Sequence, residues 1–289
     1  MKNKLNQPVW WLHNTICWSQ VVEVVTHLIK HQFRLNISRT EIEQDIRNQQ
    51  NWQKVIGGLS NYNYQLKIAN HYLFVQVVNE KNYALLPEDG YLAVNQFLTK
   101  QHKIRDWLRK CWYESKKIRI FDWIIGDEVQ AHLFDEPEFV HQMSLFLSQL
   151  HHCKIELPSL NIENHLYKYY RKALAHSPES RSRLDSILEE ALLLSHDFKT
   201  KSLCHNDLSS GNLLYGEKLT VIDWEYVSVG DPLFDLAGIC VNFELNEERQ
   251  NNLILNYSEK NGIKIDLEKL NKMKSLYQLV AKLWNKIQE

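Results

Sequence analysis

His205-Asn206-Asp207-Leu208-Ser209-Ser210-Gly211-Asn212, followed eleven residues later by Asp223 in Val221-Ile222-Asp223-Trp224-Glu225, is the stretch on which the reading of this chain turns. Between its two halves lie the apolar runs Leu213 to Tyr215 and Leu219 to Ile222, separated by a turn at Gly216. Such a pattern predicts a hairpin that folds Asp223 back against the loop. Asx residues open loops and cap helices everywhere, so a lone His-x-Asp would mean a turn. Here a longer loop and a second carboxylate recur at a spacing that brings them face to face.

The layout H-x-D-L-x-x-x-N with a metal-binding Asp after the next hairpin is that of a kinase catalytic loop. Phosphoryl transfer asks little covalent work of a protein. It needs an alcohol placed in line, its proton accepted and the triphosphate charge neutralised. Asp207 is the expected proton acceptor, and Asn212 and Asp223 offer hard oxygen ligands suited to magnesium. The catalytic set is therefore Asp207, Asn212 and Asp223, with ATP and Mg2+ as cofactors. His205 reads as an anchor of the loop at a strand end.

Working outward, residues 18–50 hold apolar positions at helical spacing and predict one or two amphipathic helices. Trp52 to Ile56, Tyr62 to Ala69 and His71 to Val78 then read as strands of an antiparallel meander, the last two joined by a tight turn at Asn70. A helix is expected from Pro87 to Lys100, followed by strands at Cys111 to Ser115 and Ile118 to Ile125. Gly126 follows as a hinge. Phe139 to His151, Ile162 to Ala175 and Arg181 to Ser195 have helical periodicity, and two helices are expected after the catalytic unit. The predicted fold is α+β, protein-kinase-like and two-lobed. A small antiparallel β lobe with leading helices spans 1–125 and binds nucleotide; a mainly α lobe spans 126–289 and carries catalysis and the substrate site.

Composition excludes several classes. With 34 basic and 35 acidic side chains the formal charge is -1, so neither a nucleic acid nor a membrane surface is an expected partner. The five cysteines, Cys17, Cys111, Cys153, Cys204 and Cys240, lie far apart and in odd number, which fits a reducing cytoplasm better than a disulfide or zinc framework. No signal peptide is read in Met1 to Ile16, and no run reaches transmembrane length. The oligomeric state is not legible.

Three strings carry a resemblance: His205 to Asn212, Ile222-Asp223-Trp224-Glu225-Tyr226, and Gly230-Asp231-Pro232-Leu233-Phe234-Asp235-Leu236. Together they resemble the aminoglycoside phosphotransferase and choline kinase superfamily, most of all its bacterial choline/ethanolamine kinases and thiamine kinases. Ile56-Gly57-Gly58-Leu59-Ser60-Asn61-Tyr62-Asn63-Tyr64 is similar to that group's nucleotide loop, and Ile124-Ile125-Gly126 to its hinge. The resemblance implies nucleotide contacts at Gly57, Gly58, Ser60, Asn61 and Ile125, where glycine lets backbone N–H groups approach phosphate oxygens. The chain departs from the family on the third strand. Where a Lys or Arg normally reaches the ATP phosphates it reads Phe74-Val75-Gln76-Val77, leaving Lys67 or Lys81 as substitutes and Glu88 as the acidic partner.

A protein kinase is disfavoured, because Asn206 replaces the Arg of H-R-D, Glu225 replaces the Gly of D-F-G, and no A-P-E string follows. Glu225 and Tyr226, next to the metal Asp, present an acid and an aromatic to the acceptor. Such a pair suits a small cationic alcohol, since aromatic faces hold a quaternary ammonium at about 0.5–2 kcal/mol per contact. Trp224, Tyr277 and Trp284 are the further aromatic candidates, although rings at helical spacing also serve as core. The expected acceptor is choline, ethanolamine or thiamine. The alternatives are an antibiotic phosphotransferase, with carboxylates from Phe243 to Glu248, and a nucleotide-binding pseudokinase, motivated by Gln76. Asp231 reads as a helix cap and Asp235 as a buried brace for the loop.

Overall fold

The structure is a computed structural model and describes residues 18–32, 37–55, 61–78, 95, 98–115, 117–154 and 157–288. The chain divides into two compact units, Met1–Ala84 with Arg109–Ile125, and Leu85–Leu108 with Gly126–Glu289.

In the first unit, helices α1 (Trp18–His27) and α2 (Arg39–Arg47) precede strands β1 (Trp52–Lys54), β2 (Asn61–Ile68), β3 (His71–Val78), β4 (Cys111–Glu114) and β5 (Ile118–Asp122). The strands form one antiparallel sheet in the order β1-β2-β3-β5-β4. Period-2 alternation gives it a largely apolar face. Leu66, Ile68, Leu73, Val75, Val77 and Ile120 pack against Val21, Val25, Ile42 and Ile46 of the two helices. Ser38 and Glu41 close α2 with a reciprocal capping box. Asp45 on α2 accepts from the backbone N–H of Ala69, fixing the β2–β3 turn, where Ala69 takes a positive φ of 51°.

The second unit is mainly helical: α3 (Pro137–His151), α4 (Ile162–His176), α5 (Arg181–Ser195), α6 (Pro232–Asn242), α7 (Glu247–Asn261) and α8 (Leu267–Gln288). Its short strands are β6 (Asp127–Glu128), β7 (Ser202–Cys204), β8 (Leu213–Tyr215), β9 (Leu219–Val221) and β10 (Ser228–Gly230), paired as β6-β8-β9 and β10-β7. Phe139, Met143, Phe146, Leu147 and Leu150 on α3 lie at the centre of its core. Among the described residues no helix is long and apolar enough to cross a membrane.

Two expectations need correction. Residues 98–108 do not join the first unit: Leu98 and Ile104 are buried in the core of the second, and the Trp107 indole N–H donates to Gln149 Oε1 on α3 at 2.6 Å. Three helices, not two, follow the catalytic segment, because Asp231 starts α6 and Asn246 separately caps α7. The helix expected over 87–100 falls largely outside the described residues, as do Gly57, Gly58, Ser60, Lys81 and Glu88.

Candidate active site

Strand β7 runs antiparallel to β10 and delivers the chain to His205, which is fully buried. His205 Nε2 lies 3.0 Å from the carbonyl of Ile222, and its Nδ1 accepts from the backbone N–H of Asp207 at 3.3 Å. Those roles define the Nε2–H tautomer, and burial, which lowers the pKa of the imidazole, keeps it neutral. Asn206 adopts φ 66°, a left-handed conformation that Asn tolerates better than most residues. Its amide donates to the carbonyl of Tyr226 at 2.8 Å and to Ser228 Oγ at 2.9 Å. The side chain that replaces a kinase Arg thus ties the loop to the segment after Asp223.

From the opposite side, Asp235 on α6 receives the backbone N–H groups of His205 at 2.9 Å and Asn206 at 2.7 Å. His151 Nε2 sits 3.1 Å from the same carboxylate, and its Nδ1 is 2.8 Å from Tyr257 Oη. The His151 side chain thus links α7 and α3 to the brace of the loop. Asp231 caps α6, accepting from Leu233 N–H at 2.9 Å and from Lys199 N–H at 2.8 Å.

Asp207, Asn212 and Asp223 come together. The Asn212 amide donates to both the backbone carbonyl and the Oδ2 of Asp207, each at 2.8 Å. Asp223, at φ 60°, stands near enough for its charge to act on Asp207. Burial first, and the Asp223 charge second, push the Asp207 carboxyl up to about 7, against the opposing hydrogen bond from Asn212.

Beside these acids lies an aromatic group. Tyr226 and Trp284 meet edge to face at 6.5 Å between centroids, Tyr169 and Trp284 at 5.5 Å, and His165 and Tyr169 at 4.2 Å. The Tyr226 and Tyr169 hydroxyls are hydrogen-bonded to one another. The charges of Glu225 and Asp207 both bear on these two phenols, placing the carboxylates and the rings in one neighbourhood. His165 is pushed down to about 4 by burial, so it contributes a neutral ring.

Of the other two expected aromatics, Trp224 lies away from this group, whereas Tyr277 is near enough to Asp207 for that charge to bear on its phenol. Trp224 is buried, donates to the Val221 carbonyl at 3.1 Å, and packs against His205 and Phe146. Tyr277 packs its ring on Phe234 and Gly238, and its hydroxyl accepts from Asn242 at 2.9 Å. Asn242 in turn donates to the carbonyl of Leu208 at 3.0 Å, so Tyr277 supports the loop from behind.

In the first unit Asn61 opens β2, and Ile125 is the last residue, 90% exposed. Lys67 does not replace the missing cation at Gln76. It faces Tyr72 across the hairpin, its ammonium 5.9 Å from that ring. Tyr72 is four residues from Gln76 along β3, about 13 Å at the usual rise of a strand.

Residues 51–272 match the model of the phosphotransferase enzyme family. The chain belongs to that family. A LicA homolog of Mycoplasma capricolum subsp. capricolum is 24% identical over 220 residues, 75% of this phosphotransferase and 84% of that protein. The choline kinase LicA from Streptococcus pneumoniae superposes with a TM-score of 0.68 at 17% identity, covering 93% of this chain and 90% of its own. A spectinomycin phosphotransferase solved with ADP and spectinomycin superposes at 0.59 and 15% identity, over 93% and 88%. The protein-kinase-like fold is common to all three structures.

Sequence reasoning missed Tyr169, His165 and Asn242 in this phosphotransferase. His165 and Tyr169 are four residues apart on α4, so they share a helical face, which was the available signal. Nothing in the spacing tells which element that face meets.

Proposed function

We propose that this phosphotransferase moves the γ-phosphoryl group of ATP to the hydroxyl of a small cationic alcohol, with choline the first candidate and ethanolamine and thiamine next. The observation that carries this reading is the gathering of Tyr226, Trp284 and Tyr169 with the buried Glu225 beside Asp207. A quaternary ammonium has no N–H to donate and is held by ring faces and a nearby carboxylate. An alcohol two carbons from that cation then reaches toward Asp207.

In this mechanism Asp207 accepts the hydroxyl proton as the acceptor oxygen attacks the γ-phosphorus and the bond to the β–γ bridging oxygen breaks, releasing ADP. A carboxyl poised near 7 suits that task at neutral pH. Asn212 orients it, and the hard oxygens of Asn212 and Asp223 fit a magnesium ion, since the Asn212 amide nitrogen is committed to Asp207. Magnesium, when bound, neutralises charge on the triphosphate.

The LicA relatives support the choline assignment, one of them being described as a choline kinase. The antibiotic alternative draws less support: Asn246 caps α7, and Glu247 and Glu248 form its exposed first turn, an ordinary solvated helix start. A thermal-shift panel of choline, ethanolamine, thiamine and kanamycin with ATP and magnesium tests the reading. Stabilisation by choline above the others is expected. Stabilisation by kanamycin alone would transfer the assignment to antibiotics.

A further inference from the structure

The β sheet of the first unit has a second face, and it is not apolar throughout. Asn63 on β2, Gln76 on β3, Arg119 on β5 and Glu114 on β4 are successive cross-strand partners, forming one polar row across four strands. Gln76 Nε2 donates to Asn63 Oδ1 at 3.3 Å, and an Arg119 terminal nitrogen donates to Gln76 Oε1 at 2.6 Å. Arg119 Nε lies 3.5 Å from Glu114 Oε1, with side-chain exposures of 2% and 3%.

Burying such a pair costs more desolvation than attraction returns in many proteins, so stability is a weak reason for it to be here. A guanidinium stays charged at any working pH and offers a rigid fork that matches phosphate. In kinases the triphosphate is met by a basic residue on β3 paired with a glutamate. Here β3 offers only the Gln76 amide at that row, but the neighbouring strand places a cation against that amide and an acid beyond it. The row also lies at the proper end of the sheet, two residues into β2, which begins just after Gly57-Gly58 in the chain. On the same face the Arg109 guanidinium is stacked on Phe74 and Phe121, at 3.9 and 4.3 Å from their centroids, and Lys67 is at the far end.

We infer that Arg119 is the phosphate-binding cation of the nucleotide site, displaced by one strand from position 76, with Gln76 aiming it and Glu114 as its acidic partner. The assignment rests on the kinase reading above. It makes Gln76 part of a relocated charge and removes the reason to regard the chain as a pseudokinase.

Isothermal titration of ATP and AMP into the wild type, R119Q, R119K and the exchange variant Q76K/R119Q tests it. R119Q is expected to weaken ATP about tenfold or more while AMP changes by less than about threefold, the range for losing a charged hydrogen-bond donor to phosphate. The exchange variant returns the cation to β3 and is expected to recover most of the ATP affinity, which a purely structural role for Arg119 would not allow. Equal losses for ATP and AMP, no loss, or an exchange variant no better than R119Q would overturn the assignment. If R119Q does not fold, R119K decides, since it keeps the charge but loses the fork and is expected to weaken ATP selectively; unaltered or uniformly altered affinities would again overturn it. A wild type that binds neither nucleotide would overturn the kinase reading and this assignment together, whereas wild-type binding that R119 variants leave untouched removes the assignment alone.

Discussion

Asp207 concentrates the electrostatic tension of the second unit. Its carboxyl is raised from 3.8 to about 7 by burial and by the nearby Asp223, so the folded chain holds this proton more tightly than an unfolded one. Because the folded value lies above the ordinary one, the group contributes most with its proton on, and that contribution is lost as pH rises from about 4 to about 7. Asp207→Asn keeps an acceptor for the Asn212 amide but carries no charge. Without nucleotide or magnesium, its melting temperature is expected to exceed the wild type at pH 8 and to converge with it near pH 4.5. Turnover is expected to fall by about a thousandfold or more. An equal shift in melting temperature at both pH values would show that ionisation of Asp207 is not the source.

At the scale of elements, α8 serves the site twice. Its C-terminal half carries Trp284 in the aromatic group, and its middle carries Tyr277 behind the catalytic loop. Trp284→Ala is expected to raise the KM for choline about tenfold, near the upper range of a cation–π contact, and to leave the KM for ATP unchanged. Gly238 on α6 faces the Tyr277 ring so closely that an added Cβ would meet its Cε2 at 2.9 Å. Gly238→Ala is expected to cost about 1–3 kcal/mol in urea denaturation, the range for overpacking a core. It should also lower kcat more than KM, because the displaced Tyr277 holds Asn242 and through it Leu208. Helices α3, α4 and α5 were legible because their apolar residues recur at helical spacing, and β2 and β3 because theirs alternate. The partner of each face was not. Trp224 and Trp284 are the same residue type near the same motif, yet one satisfies its indole N–H inside the core and the other joins the aromatic group. Residues 98–108 escaped for a like reason, since Leu98 and Ile104 mark burial without naming the core that takes them.

Across the whole molecule, 34 basic and 35 acidic residues nearly cancel, so net charge does not favour the approach of a cation. In the proposed reading, recognition falls to the buried Glu225 and its neighbouring rings, which salt screens weakly. The kcat/KM for choline is therefore expected to change by less than about threefold between 50 and 300 mM salt, as initial-rate kinetics would read. A steep decline would point to surface charge instead. The catalytic motif itself was readable because its chemistry needs fixed residue types at fixed spacing, whereas Arg119 was not, since its relation to Gln76 exists only through the pairing of β3 with β5. The most direct test of the account is phosphorus NMR of the full chain with ATP, magnesium and choline, beside Asp207→Ala. The account predicts that phosphocholine accumulates with stoichiometric ADP in the wild type and not in the variant. ATP and choline that bind while neither choline, ethanolamine, thiamine nor kanamycin gains phosphate would contradict it.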